Sequence, residues 1–509
     1  MRFLKVLMVY PQYPTTFWSF NYALKFISKK AALPPLGLIT VGSYLPKEWD
    51  VKLVDMNCEK LKDEDIKKAD YVFISAMTVQ RESSIEVIKK CNDFGIPVIA
   101  GGPLFTMEPD TFHDTVDYFV LGEAEEIMAD LVKDMENRSV KRYYVKTTFC
   151  DIEKTLPPRW DLLNLKWYAS MSIQYSRGCP YNCEFCDIGA LSGRVPRQKN
   201  AKQIVNELQS LYDSGWRKSI FFVDDNFIGN KNKLKRDVLP AIIEWQKSNR
   251  YPFTFYTEVS IDFADDDELM TLMSNAGFDR VFVGIETPDP ESLKEANKYQ
   301  NIKHDLEKSI RKIQSFGFEV QGGFIVGFDS DMPTIFKRQF DFIQGNGIVT
   351  AMVGLLNAPR GSQLYERLRN ENRLRGEMTG DNVDVMTNIV PKMDSNVLVN
   401  GYKTLVASLY NPQNYYKRLK EFLSVYKAPK FIKSKISLPE IGAFLRSIFV
   451  LGIFGKERKE YWKLLTWSIF KKPKAFSKAV SFAIYGYHFR KVAEKISKPS
   501  KTRKRIPAT

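Results

Sequence analysis

The amino-acid sequence predicts an α/β chain: a doubly wound parallel sheet first, a partial (β/α) barrel second, and a mostly helical region last. Three observations carry this expectation. Short apolar runs alternate with stretches of helical period in two successive series, separated by a proline-bearing break. A length of 509 residues exceeds what one core supports, at roughly 150 residues per domain. Past about Leu374 the strand signals fade and the chain turns aromatic and basic.

The first series opens with LKVLMVY and continues with VKLVD at 51–55, YVFIS at 71–75, PVIAGG at 97–102 and YFVLG at 118–122. Continuous apolar strands of this length suit a sheet buried on both faces. Helical stretches lie between them, such as SSIEVIKKCNDFG, where Ile85, Ile88 and the stem of Lys89 are expected on one face before a glycine stop. Ligands of such sheets sit beyond the carboxyl ends of the strands. The turns after Tyr10, Asp55, Ser75, Gly101-Gly102 and Gly122 should therefore ring one crevice, in a Rossmann-like domain over residues 1–135.

Residues 136–168 read as a linker, because Pro157 and Pro158 in TLPPRWDLL oppose a helix. The second series then runs SIQYS, SIFFVDDNF (219–227), FTFYTEVS (253–260), RVFVGIET (280–287) and GGFIVGF (322–328). Helical stretches ending at glycine intervene, so residues 169–375 predict a full or partial barrel with its chemistry at the carboxyl ends of the strands. A helical basic domain over 376–495 and a disordered tail over 496–509 complete the expectation.

Composition excludes several classes. With 44% hydrophobic residues the chain buries ample apolar area and is not disordered as a whole. Six unevenly spaced cysteines do not make a secreted disulfide framework, and the N-terminus lacks a small-residue cleavage site, so a reducing cytoplasm is expected. The net charge of +15 suggests nucleic acid until it is divided along the chain. From Asn411 to Thr509 there are 24 Lys/Arg against 5 Asp/Glu, a local +19 that leaves the first 410 residues at −4. The basicity belongs to one region and says what that region touches.

Three of the six cysteines, Cys179, Cys183 and Cys186, fall within SRGCPYNCEFCDIGALSGRVP, just past the first barrel strand. Structural zinc wants four ligands, and none of the three histidines (His113, His304, His488) lies near in sequence. Three thiolates can instead hold three irons of a [4Fe–4S] cluster and leave the fourth open to a small molecule. The spacing C-x₃-C-x-aromatic-C, with Phe185 as the aromatic, resembles the signature of the radical S-adenosylmethionine (SAM) superfamily. That resemblance implies that the open iron binds SAM, whose reductive cleavage yields a hydrogen-abstracting radical. It also implies SAM contacts at strand ends. The second barrel strand offers Asp224, Asp225 or Asn226, the third Glu258 and Ser260, the fourth Glu286, and the fifth Ile325 along the adenine.

An N-terminal Rossmann-like domain joined to such a barrel resembles the cobalamin-binding module of the B12-dependent radical SAM enzymes. The stretches LPPLGLITVGSYLP, SAMTVQ, AGGPLFT and LGEAEE look like that family's loops, and imply cobalamin contacts at Leu36, Gly37, Ser75, Thr78, Gly101, Gly102, Pro103, Gly122 and Glu123. The family's Asp-x-His-x-x-Gly motif is absent, and the domain's one histidine, His113, sits in TFHDTV, so cobalamin is expected without a histidine ligand. Over residues 1–430 the sequence resembles the subgroup that includes the hopanoid 2-methylase. The likeness implies that one SAM supplies a methyl group to cobalamin and another the radical that activates a substrate carbon. The expected function is C-methylation of an unactivated carbon in a hydrophobic substrate of hopanoid or isoprenoid type. Radical chemistry without methyl transfer (C–C bond formation, cyclisation or rearrangement) is the alternative, and a non-catalytic iron–sulfur or corrinoid sensor the alternative of another class. No residue is singled out as catalytic. Flavodoxin or ferredoxin is the expected electron donor.

The tail segments SLPEIGAFLRSIFVLGIFG, YWKLLTWSIFKKPKAF and AVSFAIYGYHFRK are each too short or too charged to span a bilayer. They suit helices lying on an anionic membrane surface, at the inner face of the membrane, with a solvated helical domain as the plainer alternative. No nucleic-acid partner is expected, because the basic tRNA-modifying methylthiotransferases carry three further cluster cysteines, and only Cys58 and Cys91 lie in the first domain here.

Overall fold

A computed structural model describes residues 3–427 and 438–497. Six parallel strands form the first sheet: β1 (Lys5–Tyr10), β2 (Asp50–Asp55), β3 (Tyr71–Ser75), β4 (Val98–Gly101), β5 (Tyr118–Leu121) and β6 (Tyr143–Val145). Their order is β2-β1-β3-β4-β5-β6. Val6, Leu7, Met8 and Val9 of β1 are all buried, as a strand covered on both faces requires. The sixth strand pairs with β5 inside the stretch expected to be a linker. Past it the chain makes only single turns, Ile152–Lys154, Trp160–Leu162 and Leu165–Trp167. In the helix Arg81–Asp93 the buried face is Ser84, Val87, Ile88 and Cys91, while Ile85 is exposed. Of the face expected from Ile85, Ile88 and Lys89, only Ile88 is buried.

The second sheet is also parallel and runs in chain order: β7 (Met171–Ile173), β10 (Ser219–Phe222), β11 (Thr254–Val259), β12 (Phe278–Glu286), β13 (Glu319–Val326) and β14 (Ala351–Leu355). β7 and β14 are its two edges, so this is a partial barrel. The last strand lies inside the span expected to be barrel, at a place where no individual strand was expected. Between β7 and β10, the short antiparallel pair β8 (Ser176–Arg177) and β9 (Arg197–Gln198) closes a long loop that carries the three clustered cysteines. The crossover helices start where local chemistry directs. Asn200 and Gln203 form a reciprocal capping box for Ala201–Asp213, and Asp305 accepts the Lys308 amide to start Leu306–Ser315.

Among the described residues six α-helices follow: Gln363–Asn370, Ser395–Leu409, Pro412–Val425, Leu438–Ser447, Arg458–Lys471 and Phe476–Ser497. The last is apolar nearly all round and buried. It packs against the first thirty residues, with Phe489 stacked on Phe17 at 4.3 Å and the His488 ring nitrogen 2.9 Å from the Phe17 carbonyl. Burial there drives His488 down to about 4, so it sits neutral and donates to that carbonyl. At the opening strand ends of β12 and β13 the same helix sets Lys478 against Asp279 (3.7 Å) and Glu319 (3.8 Å). This is the amino-terminal end of the barrel, where packing serves stability. A mostly helical C-terminal region is therefore present among the described residues, from Ser395 onward, while residues 428–437 and, from residue 498, part of the tail expected to be disordered lie outside them.

Candidate active site

The carboxyl ends of the second sheet and the cysteine hairpin meet through the acids of VDDNF. Asp224 is buried and accepts the Tyr175 amide (3.2 Å), the Ser176 amide and the Ser176 hydroxyl (2.6 Å). Asp225 accepts the Gly178 amide at 2.8 Å. Asn226 bonds Ser260 of the next strand end, its Nδ2 donating to the Ser260 hydroxyl at 3.2 Å. Burial raises Asp224 to about 7, against the hydrogen bonds from Ser176 and Tyr175. Two of the three residues expected to receive SAM thus hold the backbone immediately before Cys179.

The three thiols lie half-buried on this loop, and burial first, with the neighbouring Cys183 charge adding to it, pushes the Cys179 and Cys186 thiols up. Burial pushes Cys186 up to about 12 when the loop carries no metal, with Asp187, Cys183 and Cys179 adding to it. Their sulfurs have donors in reach: the Tyr181 amide for Cys179, the Ile188 amide for Cys186, and Gln300 Nε2 at 3.6 Å from Cys183 Sγ. Lys298 is buried, paired with Glu286, and sits 5.7 Å above the Phe185 ring. Among the described residues no three His, Cys, Asp or Glu side chains stand ready to hold a single metal ion. A [4Fe–4S] cube asks instead for sulfurs at separate corners. Three thiols with N–H donors and a nearby ammonium fit that group, since each lowers the cost of thiolate charge.

Glu258, next to last in β11, faces Asp225, Asp224 and Glu286, and burial followed by these charges raises it to about 8. Glu286 lies at a register shift of β12 with φ 63, and its own backbone carbonyl accepts from Gln339 at 3.3 Å. Ile325 and Phe328 pack with Phe185, the two rings 6.4 Å apart. The structure thus brings Phe185, Glu258, Ser260, Glu286 and Ile325 to the same end of the barrel as the cysteines.

The crevice of the first sheet opens toward this loop. Gly102, at φ 87, lies so close to Ser75 that a Cβ would fall 2.7 Å from its hydroxyl, which only glycine permits. A Cβ on Gly37 or Gly122 meets nothing within 4 Å, so both leave open space of the kind a large planar ring needs. Thr106 accepts the Gly122 amide at 3.0 Å, and Pro103 is exposed at the start of Pro103–Met107. Gly101 ends β4, Leu36 begins the helix Leu36–Gly42, and Thr78 begins the turn Thr78–Gln80, which Gly380 approaches from beyond the barrel. Glu123, expected with these residues, has its carboxylate engaged elsewhere. It takes a two-pronged bond from Arg197 (2.8 and 2.7 Å) and the Cys150 amide (2.7 Å). Beside it Glu125 pairs with Arg177.

Sequence reasoning missed Lys298, Gln300, Arg177, Arg197 and Glu125. The arginines were visible as the two basic residues that frame the cysteine loop, and LGEAEE offered their acidic partners, 50 or more residues upstream.

Comparisons with known proteins agree with this arrangement. The B12 binding domain matches residues 27–132, the radical SAM superfamily 173–334, and a domain of unknown function (DUF4070) 362–502. An uncharacterised methyltransferase of Synechocystis is 38% identical over 96% of this chain and 91% of its own. The hopanoid C-2 methylase of Rhodopseudomonas palustris is 35% identical over 90% of this chain and 88% of its own. Among solved structures, the methyltransferase TsrM of Kitasatospora setae, with cobalamin and a [4Fe–4S] cluster bound, superimposes with a TM-score of 0.65 at 15% identity, covering 98% of this chain and all of that one. OxsB with aqua-cobalamin and SAM bound gives 0.63 at 17% identity over 97% of this chain and 80% of its own. With its parallel B12-binding sheet, partial barrel and three-cysteine loop, this chain belongs to the B12-binding radical SAM family, as an enzyme that uses a [4Fe–4S] cluster, SAM and cobalamin.

Proposed function

We propose that the chain is a C-methyltransferase acting on an unactivated carbon of a hydrophobic substrate of hopanoid or isoprenoid type. One observation carries the reading: the cysteine hairpin is anchored at once to the barrel strand ends, by Asp224 and Asp225, and to the crevice edge of the first sheet, by Glu123 and Glu125. A carbon held between them would lie between the residues that would hold the two cofactors. The relationship to the hopanoid C-2 methylase over most of both chains supports the lipid class.

In this reading Cys179, Cys183 and Cys186 hold the cluster, and Lys298 offsets their thiolate charge. Glu258, Ser260 and Asn226 receive the polar parts of SAM, with Phe185 and Ile325 as apolar walls and Glu286 keeping Lys298 in place. Leu36, Gly37, Ser75, Thr78, Gly101, Gly102, Pro103 and Gly122 line the cobalamin crevice. When bound, these groups supply a one-electron route to a hydrogen-abstracting radical and a transferable methyl group. Asp224 and Asp225 fix the loop so that the reacting groups are held in register rather than assembled on collision. A single-electron donor such as flavodoxin or ferredoxin completes the reaction.

The test is anaerobic purification from cells supplied with cobalamin, metal analysis, and incubation with SAM, reductant and a hopanoid. About four irons and near-stoichiometric cobalt per chain are expected, with 5′-deoxyadenosine and S-adenosylhomocysteine forming together. Cys183→Ala should lose the iron and the 5′-deoxyadenosine. Iron without cobalt, and 5′-deoxyadenosine without S-adenosylhomocysteine, would overturn methyl transfer in favour of another radical reaction.

A further inference from the structure

We propose that the helices Leu438–Ser447 and Arg458–Lys471 form a docking face for an anionic phospholipid bilayer, into which their apolar side chains insert at the interface. Ile441, Leu445, Phe449 and Ile453 recur every four residues along the first helix and its continuation, and all four are exposed. Phe454 follows with 80% of its surface in solvent. On the second helix Trp462, Ile469 and Phe470 share one face, and Phe470 is 81% exposed. The two sets meet where the Trp462 indole donates to the Gly452 carbonyl at 3.0 Å. The opposite faces are used in packing, with Ala443, Leu451, Leu464 and Leu465 buried. Among the described residues the exposed side chains are therefore an unpartnered layer. Apolar patches this continuous are rare on a free surface.

Charge selects the occupant. Lys456, Arg458, Lys459, Lys463, Lys471 and Lys474 lie on or next to the same segments in sequence, Lys456 paired with Glu494 and Lys463 with Glu460, within a region whose Lys/Arg outnumber Asp/Glu by 24 to 5. Beside the stripe, Leu445, Phe449 and Val450 also form the wall of a groove of about 760 Å³ rimmed by Lys25, Arg446, Lys491 and Lys495, with Glu494 among them paired to Lys456 and Arg490. Apolar wall and cationic rim together match an acyl chain with an anionic headgroup. Among the described residues no helix is long and apolar enough to cross a membrane. An apolar face flanked by lysine and tryptophan lies in the interface plane instead.

The holoenzyme should float with vesicles of phosphatidylcholine and phosphatidylglycerol but not with phosphatidylcholine alone. Each basic residue near such a surface is worth about fivefold in partitioning, so 0.5 M salt should release most of it. The variant Phe449→Glu/Phe454→Glu/Phe470→Glu should lose at least about tenfold in binding, with cobalt and iron content unchanged as proof of fold. A second variant, Lys463→Glu/Lys471→Glu/Lys474→Glu, keeps the apolar layer and should lose the preference for anionic lipid. Absence of flotation with the vesicles that contain phosphatidylglycerol overturns the proposal. So does a dimer in light scattering that the phenylalanine variant converts to monomer without altering flotation. Formation of 5′-deoxyadenosine in detergent-free buffer is measured separately, so failure to dock and failure of the catalytic reading are told apart.

Discussion

Glu258, next to last in β11, has Asp225, Asp224 and Glu286 around it, and burial raises it to about 8, well above the ordinary value of about 4.3. The native state therefore keeps a proton that the unfolded chain has already released. Between about pH 4.3 and 8 the unfolded state binds fewer protons, so this residue's contribution to stability falls as pH rises, with the loss complete above 8. Replacing it by Gln removes the titration and keeps the shape. The cofactor-free Glu258→Gln variant should match its parent near pH 4.5 and exceed it by about 1–3 kcal/mol at pH 8.5, the scale of one badly solvated buried group. His488 acts in the opposite sense, because its depression to about 4 removes stability as pH falls below about 6.5. Thermal midpoints of variant and parent are therefore compared pH by pH, and a constant difference across the range would refute the assignment. A carboxyl held in this state is suited to receive a cationic amine or a hydroxyl from a ligand, since proton loss on binding brings its charge into use.

At the scale of the element, the cysteine hairpin has one backbone position on which its shape turns. Gly178 sits at φ 93, and a Cβ there would lie 2.9 to 3.1 Å from the carbonyl oxygens of Gly193, Ser192 and Val195. Gly178→Ala should therefore open the β8–β9 closure, cost about 1–3 kcal/mol in strain, and cut iron retention by more than half while far-ultraviolet dichroism stays unchanged. Full iron retention would mean that the loop holds the cluster by its thiols alone. This position was readable in the sequence as the glycine of SRGC, but its reason was not: the crowding carbonyls are 14 or more residues away. The same divide runs through the whole chain. Strands such as LKVLMVY and SIFFV announce themselves because burial on both faces leaves a local apolar run. No strand was expected at β6, which is three residues long, or at β14, whose run AMVGL is interrupted by a glycine. Cys179, Cys183 and Cys186 were legible from spacing, whereas Lys298 and Gln300 reach the thiols only through the turn after β12. Asp224 was seen as a strand-end acid, yet which backbone amides it holds is settled by register between β7 and β10.

For the molecule as a whole, the joint between its two sheets decides whether two cofactors act on one substrate. Arg177 lies one residue before Gly178-Cys179 and reaches Glu125, with Glu123 at 3.3 Å and the Cys150 sulfur at 3.7 Å. Arg197, on the partner strand of the hairpin, grips Glu123 with two nitrogens and also donates to the Cys150 carbonyl at 2.8 Å. Burial opposes ionisation of Glu123, but the Arg197 hydrogen bonds and the Arg177 charge hold its carboxyl below the usual range. Forked arginine–carboxylate pairs fix orientation as well as distance. The cysteine loop is therefore fastened to the crevice edge of the first sheet rather than merely resting near it. Glu125→Gln leaves a buried guanidinium short of its counter-charge, and breaking such a pair costs about 3–5 kcal/mol. Arg177→Lys retains the charge and loses the fork. Both variants should still bind iron and cobalamin and still produce 5′-deoxyadenosine, while S-adenosylhomocysteine and methylated product fall severalfold. The measured quantity is the ratio of 5′-deoxyadenosine to S-adenosylhomocysteine with substrate present. A rise in that ratio means that radical formation has been uncoupled from methyl transfer by loss of relative position. If both products fell together at constant ratio, the pairs would be supporting the fold of each half and not the register between them.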